Sequence, residues 1–410
     1  MDLGALTAEA HVLSLLQTVR RLEPDVAAWA HLEEALALQQ ARASDKRRAA
    51  GHGASLLGVA VGLKDIIDTA DLPTENGTVL HAGRRPSRDA ALVTRLREAG
   101  AVIMGKTVTT ELATYAPGKT RNPHRLTHTP GGSSSGSAAA VACGMVPLAI
   151  GSQTNGSTIR PGAYCGVVSF KPTRASIDRT GMLVQSPSFD TVGLFARNVP
   201  DMALLYEVLC DPPRSTESGS SALKRLGWFP SPLADRLEPG VREKLERRAR
   251  DFGAVSMPDD LPVPILDVIA LHRLIMEAEI ARSFADEYRT GAARLSASLR
   301  GQIERGGQTS DAALLSAQLE LGAIKGAVDT WMHEQGVDAW VTPSAAGPAP
   351  AGLDSTGDPI FCSLATALDL PALQLPGLAA DNGLPLGTQV VGRRSADAAL
   401  LTLGAQLYQP

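Results

Sequence analysis

Three side chains in the first 160 residues have the types and spacing for nucleophilic catalysis with a lysine base: Lys64, Ser133 and Ser157. Lys64 closes an apolar run, Leu57-Gly58-Val59-Ala60-Val61-Gly62-Leu63, that reads as a buried strand. A lysine placed there is desolvated, which disfavours its charged form and lowers its pKa. A neutral amine is a general base near pH 7, and serine–lysine catalysis is a recognised variant of the serine triad. Ser133 stands just before an Ala-rich helix over 135–143, and Ser157 ends the polar loop that follows a strand at 146–150. The backbone amides of Thr154, Asn155, Gly156 and Ser157 are suited to form an oxyanion hole. Taken alone, Lys64 would read as a lysine snorkelling from a strand end to solvent. The three residues together carry the chemistry.

Two other patterns compete for the same stretch. Gly100-Ala101-Val102-Ile103-Met104-Gly105-Lys106-Thr107 matches a phosphate-binding loop letter for letter. Its variable positions, Ala101 to Met104, read as a core strand, and a helix precedes it where a strand is needed. Gly132-Ser133-Ser134-Ser135-Gly136 has the form of a nucleophile elbow. An elbow needs a strand directly before the serine, and residues 120–125 are polar and loop-like. Of the eight histidines only His272 and His333 lie downstream, both in helical, polar surroundings that read as surface. The segment 129–137 also has the composition of a flexible Gly/Ser linker. It runs straight into apolar helix and strand, as a linker would not.

The elements around these residues alternate. Residues 5–41 carry helical periodicity in two segments broken at Pro24, and 43–55 reads as a loop. An amphipathic helix opens at Ser87 and is closed by Gly100; short strands follow at 101–104 and 167–170. Residues 212–225 read as a Ser-rich loop, and 239–335 as mostly helical without a motif. Strands return at 339–341, 372–375 and 389–391, with a last helix at 396–407. Such alternation argues for α/β architecture.

Composition narrows the partners. The 410 residues are 44% apolar and 20% charged, with net charge −4, the profile of a soluble globular protein. Neither nucleic acid nor an anionic membrane is expected to bind. Cys143, Cys165, Cys210 and Cys362 lack paired spacing and read as small buried hydrophobes in a reducing compartment. No signal peptide is visible, and the apolar run 138–151 is too short to span a bilayer, so a cytoplasmic location is expected.

These motifs resemble the amidase signature family. The likeness runs through Gly62-Leu63-Lys64-Asp65, Gly105-Lys106-Thr107, Arg121-Asn122-Pro123 and the Thr129-to-Ala142 segment. It continues through Gly156-Ser157-Thr158-Ile159-Arg160-Pro161, Cys165-Gly166 and Lys171-Pro172-Thr173, and returns weakly at 342–343 and 383–387. The resemblance implies an α/β/α domain over 1–410, a mixed sheet flanked by helices on both faces. Residues 57–173 would carry the catalytic signature, 174–336 a helical variable region and 337–408 a returning core segment.

The resemblance also implies a function, an amidase acting on a small amide substrate through an acyl-enzyme, with no metal or organic cofactor. The family's triad falls on Lys64, Ser133 and Ser157, with a cis Gly132–Ser133 peptide aiming the Ser133 hydroxyl. Ser134 would support the network or contact substrate; a plain helix N-cap explains it as well. Arg160 matches an arginine that, in the malonamidase-like branch, binds a substrate carboxylate; a structural arginine is the alternative. Asn155 replaces a usual glycine, and the tolerance of Asn for left-handed backbone would preserve the hole. Gln153 replaces a frequent Asp, a choice associated with small substrates. A homodimer through the N-terminal helices is compatible with the sequence. One component of a glutamine-dependent amidotransferase and a catalytically inactive binding relative are the other family readings.

Overall fold

The computed structural model describes residues 6–211, 225–229, 233–257 and 261–408. Among these residues, eleven strands form one mixed sheet. They are β1 (Trp29–Leu32), β2 (Ala60–Lys64), β3 (Val102–Thr107), β4 (Leu148–Gln153), β5 (Val168–Lys171) and β6 (Thr191–Ala196). The remainder are β7 (Leu226–Trp228), β8 (Val255–Ser256), β9 (Ala339–Pro343), β10 (Ala372–Ala379) and β11 (Pro385–Gly392). Their order across the sheet is β1-β3-β2-β4-β6-β5-β10-β11-β9-β7-β8. β2 runs parallel to β3 and β4, and β7 parallel to β8 and β9; the other neighbours are antiparallel.

The first helices are α1 (Ala8–Val26), α2 (Glu34–Ala49), α3 (Ala91–Glu98), α4 (Ser135–Ala142), α5 (Ile159–Cys165), α6 (Val199–Leu209) and α7 (Val241–Asp251). The rest are α8 (Ile265–Ser283), α9 (Ala285–Gly291), α10 (Ala297–Gly306), α11 (Asp311–Glu334), α12 (Ile360–Ala367) and α13 (Asp397–Leu407). Successive strand residues face opposite sides of a sheet, so residue parity sorts the core. Val61 and Leu63 of β2 join Leu92 of α3, Met202 of α6 and Leu400 of α13. Ala60, on the opposite face, joins Val12 of α1, Ala37 of α2 and Ala139 of α4. On β9, Val341 joins the first group, whereas Trp340 packs with Val268, Val328 and Leu364 of α8, α11 and α12. Helices therefore cover both faces, as expected. Each fully buried Leu or Val among these stabilises the fold by roughly 1.5–3 kcal/mol.

The N-terminal region differs from its expected form. α1 continues through Pro24 to Val26 and is capped by Ala27, which is left-handed. Pro24 lies so near the helix end that little of the ladder is lost. The Glu23 carboxylate then accepts from the amides of Ala28 and Trp29, turning the chain into β1. α2 covers the first part of the expected loop at 43–55; its last turn carries Lys46, Arg47 and Arg48, which favour a helix C-terminus. The amphipathic helix expected from Ser87 begins at Ala91. The expected Ser-rich loop lies outside the described residues except for Arg225.

The segment 129–137 is no linker: Thr129, Ser133, Ser134, Ser135 and Ser137 are all buried. Gly136 is required at the start of α4, because a Cβ there would collide with the backbone of Ala28 and Val108. The phosphate-loop look-alike is β3, buried throughout.

Candidate active site

Lys64 is the last residue of β2 and has no exposed surface. Its Nζ lies 2.6 Å from Ser133 Oγ and 2.8 Å from Ser152 Oγ. Burial pushes its pKa well below the ordinary lysine value, opposed only by the more distant charge of Asp190. Lys106 on the neighbouring strand shows the contrast. Its Nζ bonds Ile67 O and Thr74 Oγ1, each at 2.6 Å, and Asp65 lies 3.6 Å away. That amine anchors a loop.

Ser133 follows a cis Gly132–Ser133 peptide, as the resemblance implied. Its carbonyl accepts from Thr110 N at 3.2 Å, and Ser134 N donates to Ser157 O at 3.3 Å, which joins the two serine segments. Ser134 is turned elsewhere. Its hydroxyl donates to Ser152 O at 3.1 Å and accepts from Ser152 N at 3.2 Å, and it does not cap α4. The geometry gives Ser134 a tie between α4 and β4 at Ser152, the residue whose hydroxyl contacts Lys64.

Ser157 retains 9% exposure, and among the described residues its hydroxyl has no hydrogen-bond partner. The Lys64–Ser133 contact is formed, and no hydrogen bond joins the Ser133 and Ser157 hydroxyls. None of the four backbone N–H groups of 154–157 donates a hydrogen bond among the described residues. Asn155 does not need the left-handed conformation invoked for it; its φ is not positive. Its Nδ2 donates to Tyr115 Oη at 3.0 Å, and its Oδ1 accepts from Ser363 Oγ at 2.6 Å. Gln153 is a buried tie: Oε1 accepts from the amides of Thr158 and Ile159 at 2.8 and 3.0 Å, and Nε2 donates to Thr366 Oγ1 at 2.9 Å.

Arg160 in α5 is 2% exposed. One nitrogen, Nη2, donates to Gly132 O at 2.6 Å and Thr356 Oγ1 at 3.0 Å. Nε and Nη1 are buried without a partner.

Two residues went unread in the sequence. Ser152, within a Gly-Ser-Gln run, looked like the start of a loop. His272 was expected at the surface and is 1% exposed on α8, its Nε2 donating to Thr154 O at 2.9 Å. Val268, Ile275 and Met276, at helical spacing on either side of it, share the buried face of α8, a signal in the sequence that marks this position as core.

Comparison with known proteins settles the family. A family model described as Amidase matches residues 10–247. A glutamyl-tRNA(Gln) amidotransferase subunit from Chloroflexus aggregans is 33% identical, over 98% of this chain and 92% of that protein. The chain belongs to the amidase family. It is an amide hydrolase by that membership and by its structural neighbours. The peptide amidase of Stenotrophomonas maltophilia superposes with TM-score 0.84 and 29% identity, over 98% of this chain and 93% of that one. A structure described as a vestigial protein complex, bearing on the origin of an s-triazine catabolic enzyme, gives TM-score 0.89 and 26% identity, over 98% and 95%.

Beside the 154–157 loop of this amidase lies a cavity of about 420 Å³. Asn155, Tyr115, His272, Gln302, Asp358 and Ser363 line part of it; Ser157 and Lys64 do not. Among the described residues, no group of three or more His, Cys, Asp or Glu is placed to hold a metal, and no helix is long and apolar enough to cross a membrane.

Proposed function

We propose that this amidase uses Ser157 as nucleophile, Ser133 as proton relay and neutral Lys64 as base. One observation carries the reading: a fully buried lysine, with no carboxylate in ion-pair range among the described residues, meets the Ser133 hydroxyl at 2.6 Å. Lys64 takes the Ser133 proton as Ser133 takes that of Ser157, whose oxygen attacks the amide carbonyl. The oxyanion rests on the free amides of 154–157. The proton returns through Ser133 to the leaving nitrogen, the C–N bond breaks, and ammonia or an amine departs. Water then cleaves the acyl-enzyme by the same relay, restoring Ser157. Every step uses groups of this chain and water.

The substrate of this reading is a small amide bearing a carboxylate near the scissile bond. Two unpartnered nitrogens on a buried arginine support it, because such a cation is costly until an anion completes it. Ammonia release from small amides by wild type and Ser157→Ala tests the whole proposal. Full activity in Ser157→Ala would end it.

A second reading comes from the curated relatives, which are named as amidotransferase subunits. In it the chain hydrolyses glutamine and hands ammonia to a partner. The alignment to the Chloroflexus protein spans 457 positions, more than the 410 residues of this chain, so that relative carries segments this one lacks. Glutamine as the preferred substrate in the same assay would favour this second reading.

A further inference from the structure

The peptide groups that present the amides of Asn155, Gly156 and Ser157 are each held from behind. His272 Nε2 donates to Thr154 O at 2.9 Å, Thr366 Oγ1 to Asn155 O at 2.6 Å, and Arg160 N to Gly156 O at 3.1 Å. A carbonyl and the N–H that follows it lie in one rigid plane. A donor that fixes the oxygen therefore fixes where the hydrogen points, and it also polarises that hydrogen. The Arg160 bond is backbone and independent of side chain. The other two come from side chains far away in sequence, on α8 and α12.

Both side chains are held for the task. Thr154 O can only accept, so the His272 proton sits on Nε2. The Phe189 ring packs 4.3 Å from the imidazole, centroid to centroid. Burial pushes the imidazole pKa down to about 4, so the ring is neutral at pH 7 and the bond to Thr154 O fixes its tautomer. Thr366 Oγ1 accepts from Gln153 Nε2 at 2.9 Å, and Gln153 is itself fixed by the first amides of α5. The single Thr366 hydroxyl proton has Asn155 O at 2.6 Å and Cys362 O at 3.2 Å to choose between; the shorter contact is to Asn155.

We infer that His272 and Thr366 are positioning residues that aim the oxyanion-hole peptides of this amidase from the carbonyl side. The assignment rests on Ser157 as nucleophile and 154–157 as the hole. It gives the middle helical region a part in the chemistry and explains why α8 and α12 close over the loop.

Kinetics of the full chain test it, with two measurements on each variant. One is kcat and KM for an amide that the wild type turns over. The other is inhibition by phenylboronic acid, whose boron accepts an electron pair from a serine oxygen to give a tetrahedral anion. Removing a hole donor outright costs about 10²–10³ in kcat, so mis-aiming one should cost about tenfold. His272→Leu and Thr366→Val should each lower kcat about tenfold, leave KM within about threefold and weaken the boronate in step. His272→Gln and Thr366→Ser keep a donor and should recover most of the loss. Wild-type kcat in both Leu and Val variants, or equal losses whether or not a donor is kept, overturns the assignment. If His272→Leu does not fold, the Thr366 pair decides. Ser157→Ala runs in parallel: an active Ser157→Ala removes the nucleophile reading beneath, while an inactive one beside unimpaired variants removes only the positioning role.

Discussion

The hydroxyl of Ser152 lies 2.8 Å from the amine of Lys64, beside the 2.6 Å contact of that amine with Ser133. A neutral amine has two hydrogens and one lone pair. On the proposed mechanism, giving a hydrogen to Ser152 leaves the lone pair for the Ser133 proton, and Ser152 then sets the direction in which Lys64 acts as base. Ser152→Ala should lower kcat about tenfold with KM nearly unchanged, which corresponds to about 1.4 kcal/mol of barrier. Lys64→Met should abolish turnover. A Ser152→Ala enzyme with unaltered kcat would show that the amine is aimed by Ser133 alone.

The direction of the Lys64 shift fixes a pH dependence. Only the neutral amine accepts a proton, so the rate should rise with pH as Lys64 deprotonates. Because burial pushes its pKa well below the ordinary value, the plateau should be reached below the range of a free lysine. A pH–rate profile measured where chemistry limits turnover checks this. A rate still climbing through pH 10 would contradict a desolvated base.

The same shift has a consequence for stability. In the folded chain Lys64 loses its proton at lower pH than in the unfolded chain. Between those two values the unfolded state binds more protons, so stability rises with pH in that window and levels off above the unfolded pKa. Lys64→Met removes this contribution. Urea unfolding at pH 7 to 10 should show wild type gaining on the mutant as pH rises, by up to about 1.4 kcal/mol per pH unit. Lys106 and Lys171, each pushed down to about 8, are present in both proteins and cancel. Parallel curves for the two proteins would mean that Lys64 titrates normally.

What the sequence revealed about the site followed how local its signals were. Lys64 at a strand end, Ser133 after a glycine pair and Ser157 after a polar loop are each marked by immediate neighbours. Their helices and strands showed for the same reason. Ser152 has no such mark, and the apolar residues at helical spacing around His272 mark its burial but not its partner. The burial of His272 depends on α8 packing over the 154–157 loop, more than one hundred residues away. Ser134 sits in the motif, but its partner was set by Gly151: a Cβ there would come 2.5 Å from Ser134 Oγ, so only glycine lets the two segments meet. Asn155 was read through backbone propensity, and its role is side-chain bonding to Tyr115 and Ser363.

Arg160 is divided between two roles, and a substitution can separate them. Nη2 is bonded to Gly132 O, next to the Ser133 peptide, which is a structural duty. Nε and Nη1 have no acceptor, and among the described residues no carboxylate lies within ion-pair range of the guanidinium. A substrate carboxylate that reached these nitrogens would gain charge-assisted hydrogen bonds of about 1.5–3 kcal/mol, enough to dominate selectivity for a small ligand. Arg160→Lys keeps the charge and one donor for Gly132 but loses the planar fork. For malonamate, KM should rise about tenfold or more, while a neutral amide of similar size should be turned over nearly as before. A purely structural arginine predicts a different pattern, because a displaced Gly132 would disturb Ser133 and lower kcat on both substrates alike. Equal losses on malonamate and the neutral amide would therefore end the carboxylate assignment, and would leave Arg160 as a brace for the cis peptide segment.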